Sequence, residues 1–303
     1  MDSISNELLS KIKTKIFTYG SELEKSLFLY HIENESSEEV LIQLESYQNS
    51  DGGFGNGLEP DFLLPRSSPL ATTVAFQLLN DFSDEPRAQK MIERGVAYFE
   101  DSFLSKRKGW VAVPKQVNNY PHAPWWHVNP HSGLSMIDHY WGNPSAEIIG
   151  YLYEYSPYVQ KLSIDDLVKQ AMEHLWNMEE LESSHETFCY MRLYQRLPVS
   201  LQKNMYPYLK KSIDKLICKD VTQYSSYVPT PLSFYLVALD NPFHIDDQLI
   251  QLNFSYLIEK VKKDGWIEPT WKWNQFEETW EKQKNIWAAR LTVDFLTMLK
   301  AYN

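Results

Sequence analysis

The pattern of hydrophobic and polar positions along the chain is helical almost throughout. Between Glu85 and Phe103, apolar residues return every three or four positions with charged residues between them, and residues 201–216 follow the same spacing. This spacing predicts amphipathic helices that bury one side and expose the other. No stretch of the sequence shows the sustained apolar and polar alternation of a half-buried strand. The chain is therefore predicted to be all-α.

A second kind of segment is apolar around most of its helical circumference, which predicts inner helices covered on several sides. These segments are residues 70–82, 232–239 and 287–299. Prolines at positions 69, 144 and 231 mark starts of such helices, because proline fits the first helical turn at little cost. About five pairs of outer and inner helices predict one domain over residues 1–303. Residues 1–34 are expected to form an N-terminal helical segment that packs on the ring of helices.

A short motif recurs between the two kinds of helix. Residues 48–54 read Gln-Asn-Ser-Asp-Gly-Gly-Phe, and shorter forms return at Gly109-Trp110 and at Asp264-Gly265-Trp266. Each form follows an amphipathic segment and precedes, after a loop, an apolar one. A motif repeated in one structural context is typical of a helical-repeat protein.

The segment from Gln48 to Phe54, followed by the apolar helix from Ser68, resembles the repeat of terpenoid cyclases and protein prenyltransferase β-subunits. The resemblance implies an (α/α) toroid of about five to six helical hairpins, with inner and outer rings around a funnel. It also implies that the motif is chiefly structural. The acidic and zinc-binding motifs of that family are absent: no Asp-x-Asp-Asp occurs, and Thr187 and Leu216 stand two residues before the cysteines. No catalytic residue is therefore carried over from the family.

Composition and charge exclude several classes of binding partner. The formal net charge is −11, and the one basic cluster is Lys106-Arg107-Lys108, so a nucleic-acid partner is not expected. No run approaches 18 consecutive apolar residues, so no membrane-spanning helix is expected. The first residues lack the basic region and apolar run of a secretory signal, and the two cysteines are too few for a disulfide framework, which together predict a cytoplasmic protein. The sequence identifies no cofactor.

Three carboxylates are candidates for acid–base catalysis. Glu59 and Asp61 follow the first Gly-aromatic turn, and Glu268 follows the last one in the same Glu-Pro context. In a toroid these residues should lie in loops near the N-terminal ends of inner helices. They could act as general acid and base. They could equally cap the inner helices, since acids favour helix N-termini.

The long connection over residues 113–143 is the second candidate site, because long loops of this kind are usually functional or disordered. Its density of Trp and His argues against disorder. The candidate ligand-binding residues in it are His122, Trp125, Trp126, His127 and His131. Three interpretations of this loop remain: a polar rim with stacking tryptophans that receives a ligand, a packed lid, and a set of imidazole ligands to a metal. The spacing matches no zinc signature, so no metal site is assigned.

Two further groups could contact a ligand. Trp271 and Trp273 belong to an aromatic stretch after the last motif, which could form either a cleft wall or part of the core. This stretch is predicted to face the same mouth as the loop of residues 113–143. Arg66 and Arg290 border inner helices, where each could bind an anionic group or form an ion pair with Glu59 or Glu268.

Three functions fit these patterns. The 10 Trp, 19 Tyr and 14 Phe suit an aromatic-lined funnel that binds an apolar, isoprenoid-type ligand, with the reaction unassigned. The same aromatics could serve as sugar platforms in a carbohydrate-active (α/α) barrel, a hydrolase or lyase acting on an oligosaccharide with paired carboxylates. A non-catalytic binding protein on the same scaffold is the third possibility. The sequence leaves open whether the protein is an enzyme.

Overall fold

The structure is a computed structural model that describes residues 4–178 and 181–302. Within these ranges the fold is all-α, with twelve α-helices, short 3-10 turns and three isolated β-bridges but no strand. The helices are α1 Asn6–Tyr19, α2 Glu22–Glu33, α3 Ser37–Glu45, α4 Pro69–Leu79, α5 Pro86–Asp101, α6 Gly142–Glu154, α7 Ile164–Asn177, α8 Ser184–Arg196, α9 Val199–Leu216, α10 Pro231–Tyr235, α11 Asp247–Asp264 and α12 Glu277–Tyr302. In the part of the chain described, no helix is both long and apolar enough to cross a membrane.

The described chain divides into two compact units. The central unit is Glu45–Leu216, and the terminal unit combines residues 4–44 with residues 217–302. The prediction of one domain over residues 1–303 stays a prediction, as does the closure of the helical hairpins into a toroid.

The central unit contains two kinds of helix, as the periodicity indicated. In α5 and α9 the buried residues lie on one side of the helix, whereas α6 is buried along nearly its whole length. Helix α6 packs against α4 and α8, and it also contacts α5 and α7. Helix α9 packs against α7 and α8. A helix with neighbours on several sides must be apolar around most of its circumference, which explains the two sequence patterns.

In the terminal unit, α12 packs against α1 and α2, and α10 packs against α11. Residues of the N-terminal segment thus form α1 and α2, which pack on α12. That this segment packs on a ring of helices stays a prediction. One predicted helix is shorter than expected. Residues 232–235 lie in α10, but the helix stops at Tyr235, because the N–H groups of Val237 and Ala238 bond to carbonyls three residues back instead of four.

The turn over residues 48–54 is held by side-chain hydrogen bonds to the backbone. Nε2 of Gln48 donates to the carbonyl oxygens of Gly52 (2.8 Å) and Met91 (2.9 Å). The carboxylate of Asp51 accepts from the hydroxyl of Ser67 at 2.6 Å. Glutamine and aspartate thus tie the turn to α5 and to the residue before the N-cap of α4.

Position 52 requires glycine. Gly52 has φ of 89°, in the left-handed region, and a Cβ atom there would lie 2.2 Å from the carbonyl oxygen of Arg94. The Arg94 side chain also holds the turn close to α5. Its guanidinium donates to Oε1 of Gln48 (3.0 Å) and to the carbonyl of Asn49 (2.7 Å). The Gly-aromatic turn therefore lies directly against α5.

All three copies of the motif share one contact that the sequence pattern does not show. A buried backbone N–H in or just after the motif donates to a hydroxyl on the following apolar helix. Phe54 N donates to Thr72 Oγ1 (3.0 Å), Trp110 N to Ser145 Oγ (3.1 Å), and Ile267 N to Thr292 Oγ1 (2.9 Å). These hydroxyls lie on α4, α6 and α12, so the repeat is a repeated turn-to-helix hydrogen bond.

Replacing Thr72 with valine should test this contact, since valine keeps the shape but leaves the buried N–H of Phe54 without an acceptor. We expect a loss of about 1–3 kcal/mol in the free energy of unfolding, measured by urea denaturation. Thr73→Val is the matched control, because the Thr73 hydroxyl only donates to Leu70 within the same helix. Equal losses in the two variants would contradict the proposed importance of the N–H to hydroxyl bond.

Candidate functional site

Two loops of the central unit run side by side and bring two of the predicted groups together. The N–H of Leu63 donates to the carbonyl of Pro121 (2.9 Å), and the N–H of Ala123 donates to the carbonyl of Asp61 (2.8 Å). This pairing places Phe62 directly opposite His122, and it bonds the backbone of Asp61 to that of Ala123. We call the group formed here the loop cluster; its members are Glu59, Asp61, Phe62, His122, Trp126 and His127.

The two carboxylates of the loop cluster are buried, Glu59 at 7% and Asp61 at 5% exposure. They lie in one tight turn, in which the N–H of Asp61 donates to Oε1 of Glu59 at 3.2 Å. The helix cap that follows in the chain belongs to another residue, because Ser68 accepts from Ala71 N at the start of α4. The structure therefore assigns the N-cap of α4 to Ser68.

The two histidines of the loop cluster form a pair. Nε2 of His122 lies 3.2 Å from Nδ1 of His127, and the two rings are close to parallel. Nδ1 of His122 lies 2.6 Å from the carbonyl of Tyr120, which fixes the proton of the neutral ring on Nδ1 and leaves Nε2 as an acceptor. Burial lowers the pKa of His122, and the neighbouring His127 lowers it further, while the Tyr120 carbonyl opposes both.

The aromatic part of the loop cluster is a perpendicular contact between Phe62 and Trp126, with ring centroids 5.3 Å apart. Trp126 is 6% exposed, and its indole N–H has no hydrogen-bond partner among the described residues. A buried donor of this kind normally has an acceptor in the functional state. Trp125 is half-buried, whereas His131 is exposed at the end of the loop.

The long connection is a packed structure held by polar side chains. Asn118 exchanges two hydrogen bonds with the backbone of Val128, at 2.7 and 2.8 Å. Asp138 accepts from the N–H of Ala112 (2.7 Å) and from the N–H and hydroxyl of Ser135 (2.8 and 2.6 Å). The positions of the loop cluster are therefore set by a hydrogen-bonded framework on both sides.

The other predicted residues lie elsewhere. Arg66 is exposed in the central unit, and it forms no ion pair within the residues described. Glu268 belongs to the terminal unit, where it is exposed and pairs with Lys284 at 3.2 Å. The ion pair predicted between Glu268 and an arginine is thus replaced by one with Lys284, which lies about two turns into α12.

Trp271 and Trp273 also lie in the terminal unit, and they have different surroundings. Trp273 is fully buried with its ring centroid 5.6 Å from that of Trp280. Trp271 is half-buried and stands perpendicular to Trp287 at 5.0 Å. Core packing thus accounts for Trp273. That this stretch shares a mouth with the His122 loop stays a prediction.

Sequence reasoning missed a buried charged group in the terminal unit. Glu24 of α2 is fully buried and accepts from Nη2 (2.6 Å) and Nε (3.1 Å) of Arg290 on α12. Burial raises the pKa of Asp294, one turn further along α12, to about 6; Arg290 opposes the shift and Glu24 adds to it. No local signal could have found this group, because its partners are 266 residues apart.

No group of three or more His, Cys, Asp or Glu side chains in the described ranges is arranged to hold a metal ion. The comparisons with known proteins add no family: no protein-family model matches the chain, and neither the curated proteins nor the solved structures contain a significant match. The resemblance to terpenoid cyclases therefore rests on the motif alone.

The pKa of His122 leads to a pH dependence of stability. Because the folded-state pKa lies below the ordinary value of about 6.5, the unfolded chain takes up the proton more readily, and the folded state should lose stability as pH falls below about 6.5. His122→Gln should reduce this loss, measured as melting temperature between pH 7.5 and 5.5. His131→Gln, at an exposed position, should leave it unchanged; an equal effect of both substitutions would refute the assignment.

The raised pKa of Asp294 gives a pH dependence of stability opposite to that of His122. A carboxyl whose folded-state pKa is raised contributes stability at low pH, and this contribution is lost as pH rises through about 6. Asp294→Asn should therefore raise the melting temperature at pH 8 and have little effect at pH 4.5. Asp84→Asn, an exposed change of the same charge, should show no such difference between the two pH values.

Proposed function

We propose that the loop cluster binds a small apolar ligand of isoprenoid type and supplies the acid–base groups that act on it. The observation that supports this most directly is the backbone pairing of the two loops, because one loop carries the buried Glu59 and Asp61 and the other carries the buried His122, its ring partner His127 and Trp126. Groups for proton transfer and an apolar wall are what acid-initiated chemistry on an olefinic ligand requires. The tests below measure ligand binding and turnover separately.

The roles within the cluster follow from its hydrogen bonds. His122 presents Nε2 as an acceptor, since its Nδ1 is bound to the Tyr120 carbonyl, and its lowered pKa keeps the ring neutral at pH 7. A neutral imidazole in this state accepts a proton, and His127 can pass it on. The carboxyl groups of Glu59 and Asp61 are assigned as the groups that exchange protons with the ligand.

The aromatic side of the cluster suits a hydrocarbon. Phe62 is fully buried and packs against Trp126, so the two rings form an apolar wall beside the carboxylates. Aromatic faces also stabilise a developing positive charge, which is the intermediate that protonation of an olefin produces. The resemblance of residues 48–54 to the terpenoid cyclase repeat supports the same class of ligand.

The oligosaccharide alternative receives less support from the geometry. Glycoside hydrolysis uses two carboxyl groups on opposite sides of the scissile bond, about 5–10 Å apart. Glu59 and Asp61 are joined in one turn, and Glu268, the third carboxylate, is exposed and paired with Lys284. Neither Asp61 nor Glu268 is thus placed opposite Glu59 within the central unit.

A thermal-shift panel tests the ligand class. We expect prenyl diphosphates or a squalene-like hydrocarbon to raise the melting temperature by a few degrees, because a ligand that binds the folded state alone stabilises it by mass action. Detergent at the same concentration is the control for hydrocarbon solubility, and an oligosaccharide series is the competing arm. A shift with oligosaccharides alone would overturn the isoprenoid assignment.

Trp126→Phe tests the location of the site. Phenylalanine keeps the packing on Phe62 but removes the unpartnered N–H, so affinity for a prenyl diphosphate, whose oxygens can accept from this N–H, should fall about three- to tenfold. A hydrocarbon has no acceptor, and its affinity should change little. Trp176→Phe is the matched control, since Trp176 is 44% exposed on α7.

Glu59→Gln and Asp61→Asn then separate binding from catalysis. The proposed acid–base role requires that at least one of these variants abolish turnover while ligand affinity stays within a few-fold of the unmodified protein.

A further inference from the structure

A cleft of the central unit lies apart from the loop cluster. Its volume is about 530 Å³, within the range of small-molecule sites. It opens between the start of α6, the end of α7 and the start of α8. The residues that line it are His139, Tyr140, Trp141, His174, Met178, Glu182 and Glu186.

The base of this cleft is a buried carboxylate with one free oxygen. Glu186 is 3% exposed, and its Oε1 accepts from the N–H of Gly142 at 2.8 Å. Glycine allows this approach, because a Cβ atom at position 142 would lie 2.9 Å from that same oxygen. Oε2 of Glu186 has no hydrogen-bond partner or cation in the described chain, and burial raises the pKa of this carboxyl.

The wall of the cleft is a stacked aromatic pair. The rings of Trp141 and His174 are 4.0 Å apart and 6° from parallel, and the indole N–H of Trp141 donates to the carbonyl of Arg107 at 3.3 Å. Burial lowers the pKa of His174, and Arg107 lowers it further, so this imidazole is neutral at pH 7. The indole is thereby held in one orientation beside a ring that carries no charge.

We propose that this cleft binds a small organic cation, with an ammonium group placed between Oε2 of Glu186 and the aromatic wall. A buried carboxylate without a cationic partner is unfavourable, and an ammonium group supplies both the missing charge and a hydrogen-bond or close ionic contact. Trp is the side chain that attracts such a cation most strongly through its π face. A second carboxylate, Glu182 at the rim, adds attraction. A neutral sugar would leave the charge of Glu186 unbalanced.

A pair of isosteric probes tests the charge requirement on the unmodified protein. Choline and 3,3-dimethylbutan-1-ol have nearly the same shape, and only choline is charged. Titration followed by NMR line broadening and chemical shifts should show choline binding at least about tenfold more tightly. Equal binding of the two probes, or binding of neither, overturns the proposal.

Variants locate the site. Glu186→Gln keeps an acceptor for the Gly142 N–H and removes the charge, so choline affinity should fall about tenfold or more. Glu93→Gln, the same change at an exposed position of α5, should leave it unchanged. Unchanged affinity in Glu186→Gln overturns the assignment.

Trp141→Phe, on the aromatic wall of the same cleft, is the deciding variant if Glu186→Gln does not fold. We expect its affinity for choline to fall about threefold or more, and unchanged affinity overturns the assignment. Trp126→Phe in the loop cluster should not affect choline, which separates this site from the proposed function.

Discussion

The structure depends on the need to satisfy buried backbone groups outside helices. Each motif turn passes beneath an apolar helix, where water cannot reach its N–H groups. Thr72, Ser145 and Thr292 supply the acceptors. An unmade bond of this kind costs about 1–3 kcal/mol, a large share of a typical folding free energy. Hydroxyls within otherwise apolar helices are thus what allow the turns to be buried.

The same constraint positions the candidate chemistry. The loop that carries Glu59 and the loop that carries His122 are joined by two backbone hydrogen bonds. Asn118 holds the second loop through two hydrogen bonds to the backbone of Val128. The N–H of Trp126 is one of several buried polar atoms without a hydrogen-bond partner in the described residues. Glu186 binds the Gly142 N–H through Oε1, and no described cation pairs with its carboxylate. The two ligand proposals start from these two groups.

Helix positions could be predicted because periodicity is local. Burial on one side of α5 and around most of α6 follows directly from where their apolar residues fall. The start of α7 was also predictable, since Ser163 caps it through the N–H of Asp166. The helix predicted for residues 232–239 ends early, at Tyr235, because apolar composition alone does not distinguish a longer helix from the tight turns that follow.

The sequence by itself determined the all-α class, the alternation of amphipathic and apolar helices, and the glycine turn that joins them, because these depend on residues close together in the chain. Only the tertiary structure decided which polar residues meet. It joined the backbone of Asp61 to that of Ala123, Glu24 to Arg290 and Glu186 to Gly142, and it left Arg66 and Glu268 exposed. Such pairings depend on how distant segments pack, and no local pattern records the burial that makes a carboxylate or an indole N–H require a partner.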